Sequence, residues 1–330
     1  GTANCRICTD NGDKIVDEPS VISYDKDTNE ILAFGQDAYQ MLGRTSGRID
    51  VVFPLESSVI AQSGLVEELV NIFLCEVCSS RVVMPRVLAC IPGEITEVEK
   101  RAIVGAISSF GVRRVLLLES AKAAAFGCGK DIMSPHGTMV VDMGAGSVDI
   151  AVMTLGGVSV GKTIKQAGNA MDNEIIKYAR RKHNLVIGKA MAKMCKEAIG
   201  TVMYEDSEQV FRLKGRDAVR GLPKWVDVTS AEIMEVIFDI AKNIALCIAD
   251  VLEDTPPELL GDVHTDGITI TGGLSLLRGM RELVENATNI KTFLADNPSD
   301  CVVNGLYKAM DYIDEAEAQK NSLNPLMMVY

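Results

Sequence analysis

The sequence is poor in several of the residues that most often announce chemistry. Its 330 residues include three histidines and one tryptophan. His136, His183 and His264 are scattered, with neither the HExxH spacing of a zinc helix nor the partners of a hydrolytic triad. Cations are in deficit too. Thirty-three Lys and Arg against 45 Asp and Glu give a net charge of −12, which argues against a nucleic-acid binder, whose footprint is a basic face. No apolar run approaches the roughly 18 residues of a spanning helix, and no signal-like segment opens the chain. Nine cysteines, an odd number without a secretion signal, read as reduced thiols of a cytosolic protein.

What is present suits a globular protein. Hydrophobic residues make up 47% and charged residues 24%, which excludes disorder, and the length fits two domains at roughly 150 residues each. The chain enters an alternating segment directly after Gly1-Thr2-Ala3-Asn4, without an initiator Met, so a few N-terminal residues are expected to be missing.

Local signals divide the first half into hairpins and crossovers. Residues 5–9 and 14–16 flank the turn dipeptide Asn11-Gly12, and 20–24 and 30–34 flank a second turn at 25–29. Helical periodicity over 63–78 precedes a buried-strand run at 86–91, stopped by Pro92-Gly93. A helix over 96–110 opens with the capping pattern Thr96-Glu97-Val98-Glu99. A strand at 114–118 and an Ala-rich helix at 121–127 follow, an alternation that predicts a largely parallel sheet.

After the break Ser134-Pro135-His136-Gly137, strands at 138–141 and 148–155 flank a glycine turn at 144–146. Gly156-Gly157 then leads into a strand at 158–164. Helices are expected over 170–182, 188–199 and 230–252, interrupted by a polar loop carrying Gly221-Leu222-Pro223. A strand at 267–271, the pair Gly272-Gly273 and a helix over 276–285 come next. The first and second halves each begin with a small-residue turn and a hairpin, which suggests a ligand clasped between them.

The strongest chemical signal is Asp142-Met143-Gly144-Ala145-Gly146-Ser147. An apolar strand delivers a carboxylate to its end, and small residues then let backbone N–H groups approach an anion. A carboxylate beside a phosphate cradle suits Mg²⁺ held through water, although an ordinary tight hairpin reads equally well from this segment alone. Gly267 to Gly273 is a strand running into a glycine pair, a possible third wall of a nucleotide cleft. A literal P-loop match, Gly156 to Thr163, is rejected. Val158-Ser159-Val160 alternates as a strand, and no helix begins behind Lys162. Two CxxC pairs are weak zinc candidates, since Cys5/Cys8 lies on a strand, where i and i+3 point to opposite faces, and Cys75/Cys78 lies near the end of a helix without knuckle glycines.

The three glycine turns, in this order, resemble those of the actin-like ATPase superfamily. Almost the whole chain is similar to the MreB/Mbl family of bacterial actin homologues. The similarity rests on Gly1-Thr2-Ala3-Asn4, Asp17-Glu18-Pro19-Ser20-Val21, Met41-Leu42-Gly43-Arg44-Thr45, Thr96 to Ala102, Met139-Val140-Val141-Asp142, Leu155-Gly156-Gly157, Arg180-Arg181-Lys182, Gly221-Leu222-Pro223, Thr255 to Leu259, and Thr271-Gly272-Gly273.

The resemblance implies an α/β, two-domain actin-like fold, each domain a ribonuclease-H-like mixed sheet flanked by helices, with a smaller subdomain. Domain I would take 1–134 and 306–330 (small subdomain about 17–55), and domain II 135–305 (small subdomain about 170–228). It implies ATP and Mg²⁺ in the cleft between them. Thr2, Ala3 and Asn4 would belong to the first phosphate loop. Asp142, Gly144, Ala145, Gly146 and Ser147 would form the second, with Asp142 facing the metal shell. Gly272, Gly273, Leu274 and Ser275 would line the adenosine, and Lys193, Lys196 and Glu197 would sit by ribose and base, or form a solvated helix face. The implied partners are further copies of the chain in filaments, the inner face of the cell membrane and the machinery of wall elongation, with no nucleic acid.

Departures from the family pattern carry their own expectations. Where the family has two acidic residues and a proline, this chain reads Glu119-Ser120-Ala121, so Ser120 stands where a carboxylate orients the attacking water. Serine is no base near neutral pH, and hydrolysis is expected to be weakened unless Glu119 swings in; Ser147 keeps the family's hydroxyl. Ala145 and Leu274 replace family glycines, which puts tight nucleotide binding in question. Val82, Val83 and Met84 occupy the position of a membrane-contact loop. The alternatives are a small-molecule kinase of the same superfamily and a non-polymerising, chaperone-like or cell-division relative.

Overall fold

The computed structural model describes residues 1–10, 12–56, 59–60, 63–78, 84–204, 207–318 and 328–329. Short turns organise its beginning. β1 (Asn4–Cys8) and β2 (Lys14–Pro19) form an antiparallel hairpin with Asn4 opposite Pro19. β3 (Ile22–Asp25), β4 (Ile31–Phe34) and, after the short helix α1 (Gly35–Gln40), β5 (Ile49–Val52) make an antiparallel sheet in the order β4-β3-β5. A two-residue ladder, β6 (Leu55–Glu56) with β7 (Val59–Ile60), precedes helix α2 (Ser63–Val77).

β8 (Arg86–Ile91), α3 (Glu97–Ser108) and β9 (Arg114–Glu119) form a crossover unit with β8 and β9 parallel. The capping box fixes the start of α3, because the Thr96 side chain accepts from Glu99 N while the Glu99 carboxylate takes the Thr96 N–H. β9 passes directly into α4 (Ser120–Gly127).

The second half is built on β10 (Thr138–Met143), β11 (Val148–Thr154) and β12 (Gly157–Ile164), an antiparallel meander. Then come α5 (Gly168–His183), β13 (Leu185–Val186), α6 (Lys189–Ile199), β14 (Val210–Asp217), β15 (Pro223–Thr229) and the long helix α7 (Ser230–Glu253). α8 (Pro257–Asp266), β16 (Ile268–Thr271), a 3₁₀ turn at Gly273–Leu276, α9 (Met280–Thr288), β17 (Thr292–Leu294), α10 (Cys301–Ala318) and β18 (Met328–Val329) complete it.

The main sheet runs β12-β11-β10-β16-β17, with the β10–β16 and β16–β17 pairs parallel. Its counterpart in the first half comes in two pieces, β1-β2 and β18-β9-β8. The largest core packs the main sheet against α5, α7 and α9, with Val141, Ile150, Met171, Ile237, Ile244 and Ile270 all buried. Elsewhere α4 and α10 meet backbone to backbone. A Cβ on Gly305 would lie 1.6 Å from Ala123 O, so any other residue there drives the helices apart.

Several expectations are corrected. The sheets are mixed rather than largely parallel; among the described strands only β8–β9, β10–β16 and β16–β17 pair in parallel. Hairpin turns of a few residues can join antiparallel strands alone, and only the helix-bearing connections are long enough for crossovers. The polar loop about Gly221-Leu222-Pro223 is instead the tip of the β14–β15 hairpin. Its strands bury one residue each, Leu213 and Val228, while Arg212, Lys214, Arg216 and Asp227 share the outer face with the exposed Val210 and Trp225. The helix expected from 276 begins at Met280, after the 3₁₀ turn. α10 runs unbroken through residue 306, the expected start of the return to the first domain. The rejected P-loop match lies on the β11–β12 turn and β12, where Lys162 Nζ pairs with Asp250 at 3.0 Å.

Candidate nucleotide cleft

Three turns converge between the halves, in a cleft of about 2220 Å³ lined by Thr2, Ala3, Asn4, Asp142, Gly144 and Gly272 among others. The first turn precedes β1. It is tied down from both sides, with Ser20 N donating to Ala3 O (2.9 Å), Ser20 Oγ to Gly1 O (2.7 Å) and Asn4 Nδ2 to Asp17 Oδ1 (3.0 Å).

The second turn joins β10 to β11. Gly144 N donates to Ser147 O (2.9 Å), which closes the turn. The amides of Ala145 and Gly146 make no hydrogen bond to the protein among the described residues. Two unspent N–H groups on a turn of small residues are what an anion requires. The first turn of α5 lies on this cradle, since Asn169 N donates to Ala145 O (2.8 Å).

The third turn follows β16. Gly272, at φ +82°, is seated against the second turn so closely that a Cβ would lie 2.3 Å from Met143 O and 2.6 Å from Asp142 Oδ1. Gly272 N and Thr271 Oγ1 both donate to Pro298 O, at 3.0 and 3.1 Å. The parallel register of β10 and β16, which sets Asp142 opposite Thr271, brings the second and third turns together.

The electrostatics centre on two carboxyls. Asp142 keeps a partly exposed edge, yet the protein around its carboxyl, with the Asp149 charge nearby, pushes it up to about 7. Desolvation is the larger cause. Asp149, buried across the antiparallel pair from Asp142, is held on all sides. It accepts from Gly93 N (2.9 Å), Thr163 Oγ1 (2.6 Å) and Ser147 Oγ (3.3 Å). Gly93 belongs to the turn after β8, so Asp149 also fastens the first half of the chain to the second. Sequence reasoning missed it, because a single carboxylate within an alternating strand carries no local signature.

The other expected residues divide. Ser120 opens α4, is buried, lines the cleft, and its hydroxyl finds no hydrogen-bond partner among the described residues. Glu119 is not brought in. It ends β9, and its carboxylate lies 3.4 Å from Lys122 Nζ in a largely buried pair. Leu274 reaches the cleft edge, but its side chain packs into the main core, so it does not obstruct the backbone. Ser275 is turned away, its hydroxyl donating to Gly272 O (2.6 Å).

On α6, Lys196 Nζ donates to Gly168 O (2.7 Å) and pairs with the buried Asp172 (2.8 Å), which pins the start of α5 over the second turn. Lys193 pairs loosely with Glu197 (3.8 Å) and stands 6.0 Å over the Tyr39 ring. Lys189 stands 5.2 Å over Phe53. Both aromatic rings belong to the first half, so α6 reaches across the mouth of the cleft. Tyr39, Phe53 and Lys189 had no sequence signal, because their partners lie more than a hundred residues away.

Met84 is 62% exposed just before β8; Val82 and Val83 lie outside the described residues. No helix among the described residues is long and apolar enough to cross a membrane. Nor, among them, do three or more His, Cys, Asp or Glu side chains gather as a direct metal cage.

Comparison with known proteins gives the chain's relatives. The family model described as MreB/Mbl protein matches residues 1–318. Cell shape-determining protein Mbl of Bacillus subtilis is 37% identical over 98% of this chain and 97% of its own. MreB5 of Spiroplasma citri bound to ADP superposes with a TM-score of 0.91 at 33% identity, covering 97% of both chains. Its AMPPNP-bound form gives 0.90. A MamK double helical filament shares the fold, with a TM-score of 0.79 at 20% identity over 94% of this chain and 96% of its own.

Proposed function

Because the chain belongs to the MreB/Mbl family of bacterial actin homologues, we propose that it binds ATP between its two halves and polymerises into filaments that direct cell shape and wall elongation. The observation that carries this reading is the seating of Gly272 against Asp142 beside the unspent amides of Ala145 and Gly146. That arrangement leaves two unspent N–H groups beside a carboxyl, which suits a phosphate with a cation. Nucleotide complexes of the Spiroplasma relative and the filament of MamK support the reading.

The donors fit Mg²⁺. Asp142, Asp149 and Ser147 offer oxygen, which suits a hard cation, and a carboxyl pushed up by burial and a neighbouring charge is relieved by one. Asp142 would hold the ion through water, with Asp149 fixed behind it; bound there, Mg²⁺ supplies charge neutralisation for the phosphates. The chain's own residues do the rest. The second turn's amides orient the phosphates, and Lys196 keeps α5 closed over that turn. Ser120, the unpartnered hydroxyl in the cleft, hydrogen-bonds a water without taking its proton. Glu119, engaged by Lys122, does not substitute, so hydrolysis is slow.

The exposed Met84, with Val82 and Val83 before it, gives a small apolar contact with the inner membrane surface. A few apolar side chains hold one subunit weakly, and avidity along a filament makes the contact persistent. Sedimentation and electron microscopy with Mg·ATP and with no nucleotide test the central claim. Filaments that need the nucleotide are expected; a protein that stays in the supernatant with ATP bound favours the kinase or chaperone-like alternative.

A further inference from the structure

Cys128 and Cys301 lie outside the cleft lining, and nothing in the proposed function uses them. Cys128 caps the C-terminus of α4, where the first half of the chain ends, and Cys301 is the first residue of α10, where the chain returns from β17. Their sulfurs stand 3.8 Å apart, with Cys128 donating to Cys301. The backbones are already in contact beside them, since a Cβ on Gly127 would lie 1.9 Å from Cys301 O. A disulfide needs its sulfurs at about 2.05 Å, a closure of roughly 1.8 Å.

The Cys301 thiol has a second role. Its sulfur lies 3.4 Å from Asp296 O and 3.6 Å from Asn297 O, within reach of donation to either. That loop continues into Pro298, whose carbonyl holds both Gly272 N and Thr271 Oγ1. It continues further into Ser299, whose carbonyl accepts from Arg6 Nη1 of the first hairpin at 2.7 Å. Thiol, loop and third turn form one continuous chain of contacts.

We propose that Cys128 and Cys301 form an oxidation site for peroxides, and that disulfide formation frees the 296–298 loop and loosens the third turn of the cleft. This rests on the nucleotide reading for its consequence, although not for the disulfide itself. Donation from Cys128 holds the Cys301 thiol down at about 7, so a thiolate is available at neutral pH. The Cys301 thiolate attacks one peroxide oxygen. The O–O bond breaks, a hydroxide leaves, and Cys301 becomes a sulfenic acid. The Cys128 sulfur then attacks that sulfur and the S–O bond breaks. The second hydroxide leaves as water with the Cys128 proton. Two thiols are oxidised to one disulfide, and one peroxide is reduced to two waters. In the reduced pair the protonated fraction of Cys301 donates to that loop while the thiolate fraction reacts; the disulfide has no S–H to offer Asp296 or Asn297.

The test treats the full chain with hydrogen peroxide. It combines non-reducing peptide mass spectrometry with the release rate of a fluorescent ATP analogue. The expected result is a Cys128–Cys301 linked peptide together with release about two- to tenfold faster, the scale of losing one modest hydrogen bond. Dithiothreitol should reverse both. Cys128→Ser, which leaves the Cys301 thiol and its loop contacts in place, should release at the wild-type rate before oxidation and give no linked peptide with peroxide, because oxidation stops at the Cys301 sulfenic or sulfinic acid. Absence of the linked peptide while other cysteines oxidise overturns the site. A linked peptide with unchanged release overturns the coupling. A reduced protein that binds no nucleotide overturns the functional reading, with the linked peptide still reporting on the site.

Discussion

Asp142→Asn should stabilise the protein without nucleotide and disable it with nucleotide. The Asp142 carboxyl is pushed up to about 7 from an ordinary value of 3.8, first by burial and then by Asp149. Below pH 3.8 the group is protonated whether folded or not, and it contributes nothing. Between 3.8 and 7 the unfolded chain gives up its proton while the folded chain keeps it, so stability falls as pH rises. Above 7 the whole penalty is present. A shift of that size corresponds to about 2–4 kcal/mol, at 1.36 kcal/mol per unit with allowance for relaxation around a partly exposed group. Asparagine keeps the shape and removes the charge. At pH 8 the nucleotide-free variant should therefore melt about 3–6 °C higher than the parent, while at pH 4 the two should coincide. Addition of Mg·ATP should raise the melting temperature of the parent and leave the variant little changed. The assay is differential scanning fluorimetry across pH, with and without Mg·ATP. An Asn variant that melts no higher than the parent at pH 8 without nucleotide would refute the argument that this carboxyl is strained.

Three further outcomes follow from the geometry. Ser120→Glu restores a carboxylate at the unpartnered cleft hydroxyl and should raise phosphate release by about 10²-fold or more; equal rates would sink the account of slow hydrolysis. Gly272→Ala places a methyl 2.3 Å from Met143 O at a positive φ, and should abolish nucleotide binding measured by equilibrium titration; retained affinity would mean the second and third turns do not form one site. Lys189→Ala combined with Lys193→Ala removes two cation–π contacts across the cleft mouth. At about 0.5–1 kcal/mol each, nucleotide release in stopped-flow should accelerate about five- to thirtyfold, and an unaltered rate would show that α6 does not close the cleft.

The elements readable from sequence were those whose cause is local. The capping box at Thr96, the turn at Gly12 and the glycine turn after Asp142 each act within a few residues, and each lies where its pattern places it. The β14–β15 hairpin was missed for a local reason as well. Phe211, Leu213, Val226 and Val228 meet the core, but the exposed Val210 and Trp225 on the other face blur the alternation among Arg212, Lys214, Arg216 and Asp227. Ser120 was identified by its departure from a family pattern, and its burial without a partner gives that departure a physical setting. Glu119 and Ser275 lie next to the cleft-lining Ser120 and Leu274, but a neighbouring lysine and a neighbouring carbonyl engage them. Adjacency in the chain does not tell which way a side chain turns.

The sequence alone settled the family, the two-part α/β plan and the three glycine turns, because spacing and residue type are properties of short segments. Only the tertiary structure decided that Gly272 rests on Asp142, that Asp149 fastens Gly93 to Thr163, and that lysines of α6 reach Tyr39 and Phe53. Those contacts join positions far apart in the chain. Their existence depends on strand register and on how the two halves approach, and no stretch of residues encodes either by itself.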